Sequence, residues 1–124
     1  MNKKILVADD EPNILISLEY LFKREGYTVL IAHDGQEALD VIAAERPDLV
    51  LLDVMMPIKN GFEVCQAVHA SESLQSTKIL MLTAKGRDTD MSKGLALGAD
   101  AYMTKPFSTK ELVQKVTEML GGAS

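Results

Sequence analysis

The sequence predicts an α/β protein built on a doubly wound, five-stranded parallel sheet with helices on both faces. Three observations carry that expectation. Five short apolar runs recur along the chain, each followed by a segment of helical length. Two of the runs, Leu49-Val50-Leu51-Leu52 and Ile79-Leu80-Met81-Leu82, show no polar alternation, as strands do when both faces of their sheet are covered. The segments between runs place apolar residues three and four apart, the spacing of one buried helix face.

Taken in order, the first strand is expected over residues 4–8. The helix after it sets Ile14, Leu15, Leu18, Leu21 and Phe22 on one face, with Pro12 suited to its first turn and Gly26 to its C-terminal cap. A second strand over 28–32 leads to a helix whose buried stripe is expected to be Leu39, Ile42 and Ala43. A third strand over 48–52 is followed by a helix starting near Gly61. The fourth, over 78–82, precedes a helix containing Gly94, which costs about 1 kcal/mol relative to alanine and so makes that helix marginal. The fifth strand is expected over 101–104. The last helix starts at Ser108, where Ser108, Thr109, Lys110 and Glu111 fit a capping box, and runs through Leu112, Val113, Val116, Met119 and Leu120. Residues 1–120 read as one domain, and 121–124, Gly-Gly-Ala-Ser, as a tail or the start of a linker.

Composition narrows the function. At 124 residues the chain can bury roughly two-thirds of its unfolded surface, and 47% hydrophobic with 25% charged residues is the balance of a soluble globular domain. The net charge of −5 repels nucleic-acid phosphates and anionic lipid, and no cluster of Lys or Arg offsets it. Direct nucleic-acid binding and membrane association are not expected. Asp9 and Asp10 interrupt the opening apolar run before it could form a signal-peptide core. A single Cys65 forms no internal disulfide, and a reducing cytoplasm is the expected location.

The chemistry lies where the apolar runs end, because ligands of open α/β sheets bind at the carboxyl ends of the strands. Asp9, Asp10 and Glu11 follow the first run, Asp53 the third, Thr83 the fourth, and Lys105 with Pro106 the fifth. In a sheet ordered 2-1-3-4-5 these four junctions meet at one edge. Three carboxylates then face one ammonium and one hydroxyl. Such a cluster calls for a hard divalent cation, Mg²⁺ with Mn²⁺ as an alternative, and the lack of a His or Cys cluster argues against zinc. A cation, a lysine and a hydroxyl suit phosphoryl transfer, whose transition state spreads charge over three oxygens, and leave the Asp53 carboxylate as nucleophile.

Asp9-Asp10, Asp53 with Met56-Pro57 and Gly61 downstream, Thr83-Ala84, and Lys105-Pro106-Phe107 together resemble the signature of the bacterial response-regulator receiver domain, a CheY-like, flavodoxin-like (βα)5 fold. The resemblance covers about residues 4–120. It implies that Asp53 accepts a phosphoryl group from a histidine kinase or histidine phosphotransfer protein. It further implies Mg²⁺ ligation by Asp10 directly, Asp9 mostly through water, Asp53 through one oxygen and Met55 through its backbone carbonyl. Lys105 would pair with a phosphoryl oxygen and Thr83 bond another, while small Ala84 leaves room and Pro106, like the family's cis-proline, orients Lys105. Thr83 and Tyr102 would form the switch that changes a face of the fourth helix, fifth strand and fifth helix, read by a downstream effector protein or domain. The chain would be a signalling switch that catalyses its own phosphorylation and dephosphorylation rather than a turnover enzyme.

Each residue alone has a plainer reading. Asp9, Asp10 and Glu11 could cap the following helix, Thr83 could be an ordinary strand residue, Lys105 a solvated charge and Tyr102 simple packing. The seven methionines read as core and interface fillers, and His33 and His69 as surface residues. Three rival functions would need a different residue set. A flavin carrier would need a Ser/Thr/Gly-rich phosphate loop where this chain is acidic. An aspartate phosphatase would place Asp-x-Asp after the first strand. A receiver-like docking module that is never phosphorylated would have lost part of the set at 9, 10, 53, 83 and 105.

Overall fold

The structure, a computed structural model, describes residues 3–84 and 88–121; the expected tail residues 122–124 lie outside them. Strands β1 (Lys4–Ala8), β2 (Thr28–Ala32), β3 (Leu49–Asp53), β4 (Lys78–Ala84) and β5 (Ala101–Lys105) form one parallel sheet ordered β2-β1-β3-β4-β5. Helices α1 (Pro12–Arg24), α2 (Gly35–Glu45), α3 (Gly61–Ala70), α4 (Asp88–Ala96) and α5 (Thr109–Met119) alternate with them, and a short 3₁₀ turn, Glu72–Leu74, precedes β4.

The uninterrupted apolar runs resolve into two cores by the two-residue period of a strand. Ile5, Val7, Leu49, Leu51, Leu80 and Leu82 pack with Leu15, Leu18 and Phe22 of α1 and Leu112 and Val116 of α5. Leu6, Val50, Leu52, Ile79 and Met81 pack on the opposite face with Ala38 and Ile42 of α2 and Phe62, Val64, Cys65 and Val68 of α3. Gly94 of α4 is buried here, and a Cβ on it would lie 3.2 Å from Met81 Cε. The missing side chain lets α4 approach β4 closely.

Two expectations are corrected. The α2 stripe is Gly35, Ala38 and Ile42, with Leu39 partly buried, and Ala43 is exposed. Position 43 lies one residue, about 100°, around the helix from Ile42 and off the stripe. The strands also end later than expected. Register pairs Asp53 with Leu82, Thr83 with Thr104 and Ala84 with Lys105, so Asp53, Thr83 and Lys105 are ladder residues at the ends of their strands rather than the first of their loops.

Helix ends follow local chemistry. Asp34 accepts from the Glu37 N–H at 2.7 Å to start α2, and Asn60 and Glu63 form a complete capping box at α3. At α5 the Ser108 hydroxyl accepts from the Glu111 N–H at 3.0 Å, which is half of the expected box. The loop from β3 to α3 is pinned at both ends. A Cβ on Gly61 would collide with the Asp53 carbonyl oxygen, and one on Gly35 with the Lys59 carbonyl. Just before Lys59, Ile58 has φ +71°, a region that costs an L-residue roughly 1–2 kcal/mol.

Candidate functional site

Strand parity assembles the site. Asp53 shares the parity of Leu49 and Leu51, and Lys105 that of Ala101 and Met103, so both side chains belong to the α1/α5 face. Asp9, two residues beyond Val7, joins them. Lys105 Nζ donates to Asp9 Oδ2 at 3.0 Å and to Asp53 Oδ1 at 3.2 Å. Thr83 takes the other parity, with Ile79 and Met81, and Tyr102 lies on that same side one strand over, level with Met81.

The acidic residues after β1 do not serve as a helix cap. Glu11 stands at the N-cap of α1 without a side-chain bond, and Asp9 Oδ1 instead accepts from the Glu11 N–H at 2.9 Å. Asp9 is fully buried, Asp53 nearly so, and Asp10 exposed. One oxygen from each of the three lies within 4.8 Å of the others. They floor a cleft of about 300 Å³ whose rim includes Met55 and exposed Ala84. The cleft also takes in Asp90, a buried first-turn residue of α4 that the sequence pattern did not single out. The Lys105–Pro106 peptide bond is cis.

Charge is unbalanced here. Burial, then the charge of Asp9, pushes Asp53 up to about 6, with Lys105 pulling only part of the way back. Burial disfavours the Lys105 ammonium, yet its hydrogen bond to Asp9 and the charges of Asp53 and Asp9 outweigh that and hold it above the usual lysine value. A hard divalent cation fits this donor set, because three clustered carboxylates meet one ammonium with no nitrogen or sulfur ligand among them. Thr83 Oγ1 is buried without a hydrogen-bond partner among the described residues. That leaves a buried donor at the carboxyl end of β4, one residue before the Ala84 of the cleft rim, able to meet an incoming oxyanion.

Comparison with known proteins agrees. A family profile for the response regulator receiver domain matches residues 5–117. The chain belongs to the response-regulator receiver family. The receiver is 50% identical over 120 residues to the alkaline phosphatase synthesis transcriptional regulatory protein PhoP of Bacillus subtilis, an alignment covering 97% of this chain and 49% of PhoP, so it spans about half of that relative's length. Its fold superposes on chemotaxis protein CheY4 of Vibrio cholerae with TM-score 0.90 at 33% identity, covering 97% of this chain and all of CheY4. A receiver domain of a Pseudomonas aeruginosa sensor histidine kinase, solved with a magnesium ion coordinated in its active-site cleft, superposes with TM-score 0.89 at 27% identity and covers 98% of this chain and all of that one. Receiver domains are phosphoacceptor switches of two-component signalling, working with histidine kinases and effectors. Among the described residues of this receiver no helix is long and apolar enough to cross a membrane.

The orphaned hydroxyl gives a first expected result. Thr83→Val keeps the shape and removes a buried donor that has no partner among the described residues, so the metal-free receiver should gain about 1 kcal/mol, roughly 3 °C in Tm by calorimetry. An unchanged or lower Tm would mean that the hydroxyl is satisfied by water.

Proposed function

We propose that Asp53 is the phosphoacceptor and that Asp9, Asp10, Asp53 and the Met55 carbonyl hold Mg²⁺, or Mn²⁺ in its place. The pairing of buried Asp53 with Lys105 at 3.2 Å supports this reading most directly, and the Thr83 hydroxyl, unpartnered among the described residues, stands near the end of the neighbouring strand. An oxygen of Asp53 attacks phosphorus, the bond from phosphorus to the donor's imidazole nitrogen breaks, and its electron pair returns to the ring. Lys105 transfers its pairing to a phosphoryl oxygen and Thr83 donates to another. The bound cation supplies charge neutralisation of the phosphoryl oxygens. Water later hydrolyses the acyl phosphate and resets the switch.

The partners under this reading are a histidine kinase or histidine phosphotransfer protein on the input side and an effector protein or domain on the output side. Movement of the Thr83 hydroxyl toward the phosphoryl group opens space for Tyr102, now 42% exposed, and changes the face of α4, β5 and α5. Ala84 leaves room for the donor, and Pro106 positions Lys105. Residues 1–120 form the switch, and the cytoplasm is its compartment.

The test is incubation with Mg²⁺ and acetyl phosphate, read by intact mass. One labile phosphoryl adduct is expected; none, with Mg²⁺ bound, refutes the reading. A second measurement follows protons. Asp53 must lose its proton to bind the cation, so Mg²⁺ affinity by calorimetric titration should be level above pH 7 and fall about tenfold per unit well below about 6. Affinity that ignores this range would remove Asp53 from the ligand set.

A further inference from the structure

Ile58 is an isoleucine where the backbone favours glycine or asparagine. Its φ is +71°, and the Lys59 N–H donates across it to the Pro57 carbonyl at 2.8 Å. That is a γ-turn of the rare, strained hand. Pro57 O also receives the Gly35 N–H at 3.4 Å, and Gly35 and Gly61 admit the loop only because they lack side chains, so the surroundings enforce the turn. What the turn presents is apolar. Ile58 is 74% exposed and Met55, earlier in the same loop, 65%. Strain that survives at such a tip marks a functional position.

The loop leaves and returns at the phosphoacceptor. Gly61 abuts the Asp53 carbonyl and its N–H donates to Val54 O at 2.9 Å. Three residues span at most about 11 Å, which bounds the distance from Gly61 to Ile58. A transient protein interface of roughly 600 Å² per partner has a radius of about 14 Å. Asp53 is buried at the floor of its cleft, so a protein that delivers a phosphoryl group to it has to seat on the rim, and its footprint reaches Ile58.

We propose that the γ-turn holds the Ile58 side chain outward as an apolar contact for the phosphodonor protein, packing against an apolar surface beside the donor's phosphohistidine. This rests on Asp53 as acceptor. Small phosphodonors need no such contact, which separates the two claims.

The experiment compares native chain, Ile58→Asn and Ile58→Ala with two donors: acetyl phosphate, and the autophosphorylated histidine kinase that labels the native chain fastest in a purified panel. Asparagine accepts positive φ and removes the apolar group; alanine removes the group and keeps the strain. Expected are acetyl phosphate labelling within twofold of native for both, kinase transfer at least tenfold slower for both, and Tm about 3 °C higher for Ile58→Asn. Kinase transfer at the native rate in Ile58→Ala overturns the proposal. So does a native self-association, seen by sedimentation, that both variants abolish while transfer persists, because the contact then belongs to a second copy. Failure of acetyl phosphate to label the native chain would instead refute Asp53 as acceptor.

Discussion

Asp53→Asn should form no phosphoryl adduct with acetyl phosphate and Mg²⁺ while folding more stably than the native chain in EDTA at neutral pH. The first half follows from the proposal that Asp53 is the nucleophile. The second follows from linkage. The folded carboxyl holds its proton up to about 6, against 3.8 for a free aspartate. The folded state therefore binds the extra proton between those values, and stability is lost as pH rises through that window. At neutral pH the ionised group costs up to about 3 kcal/mol. Asparagine carries no charge but forfeits the bond to Lys105, so a net gain on the order of 1–2 kcal/mol is expected, roughly 3–8 °C in Tm, vanishing near pH 4. An adduct on Asp53→Asn, or a lower Tm in EDTA at pH 7.5, would contradict the assigned site.

Lys105→Met should act in the opposite direction on stability. Asp9, with its side chain 1% exposed, and Asp53 would lose their shared cation. Breaking a buried pair costs about 3–5 kcal/mol, and because Lys105 is itself 23% exposed a loss of roughly 2–3 kcal/mol is the reasonable expectation. Saturating Mg²⁺ should recover most of it, since binding to the folded state alone adds stability by mass action. The adduct should still accumulate, slower by on the order of a hundredfold for want of the ammonium that meets the phosphoryl charge. Equal Tm losses in EDTA and in Mg²⁺ would show that Lys105 serves packing rather than charge balance.

Most of the fold and the site was legible because both rest on local signals. The apolar runs, Pro12 and Gly26 mark elements by themselves, and a reactive residue at the end of a parallel strand necessarily points to one edge. What escaped depends on distant neighbours. Ladder pairing of Asp53 with Leu82 and of Ala84 with Lys105 extended the strands beyond their apolar letters. Ala43 looked like core by composition but lies off a stripe that Ala38 and Ile42 set. The reason for Gly94, a methionine on β4, and the place of Asp90 in the cleft emerge only when α4 docks on the sheet. The turn at Ile58 carries no glycine or asparagine to announce it.

The two glycine contacts that pin the segment from Asp53 to Gly61 restrict how a domain of this kind can diversify. With Gly61 pressed on the backbone of Asp53 and Gly35 on that of Lys59, lengthening or shortening the segment by one residue would drag the Asp53 carboxylate with it. Diversity at this loop is therefore confined to exchanging side chains at constant length: what the segment shows to a visitor can be rewritten by substitution, not by insertion.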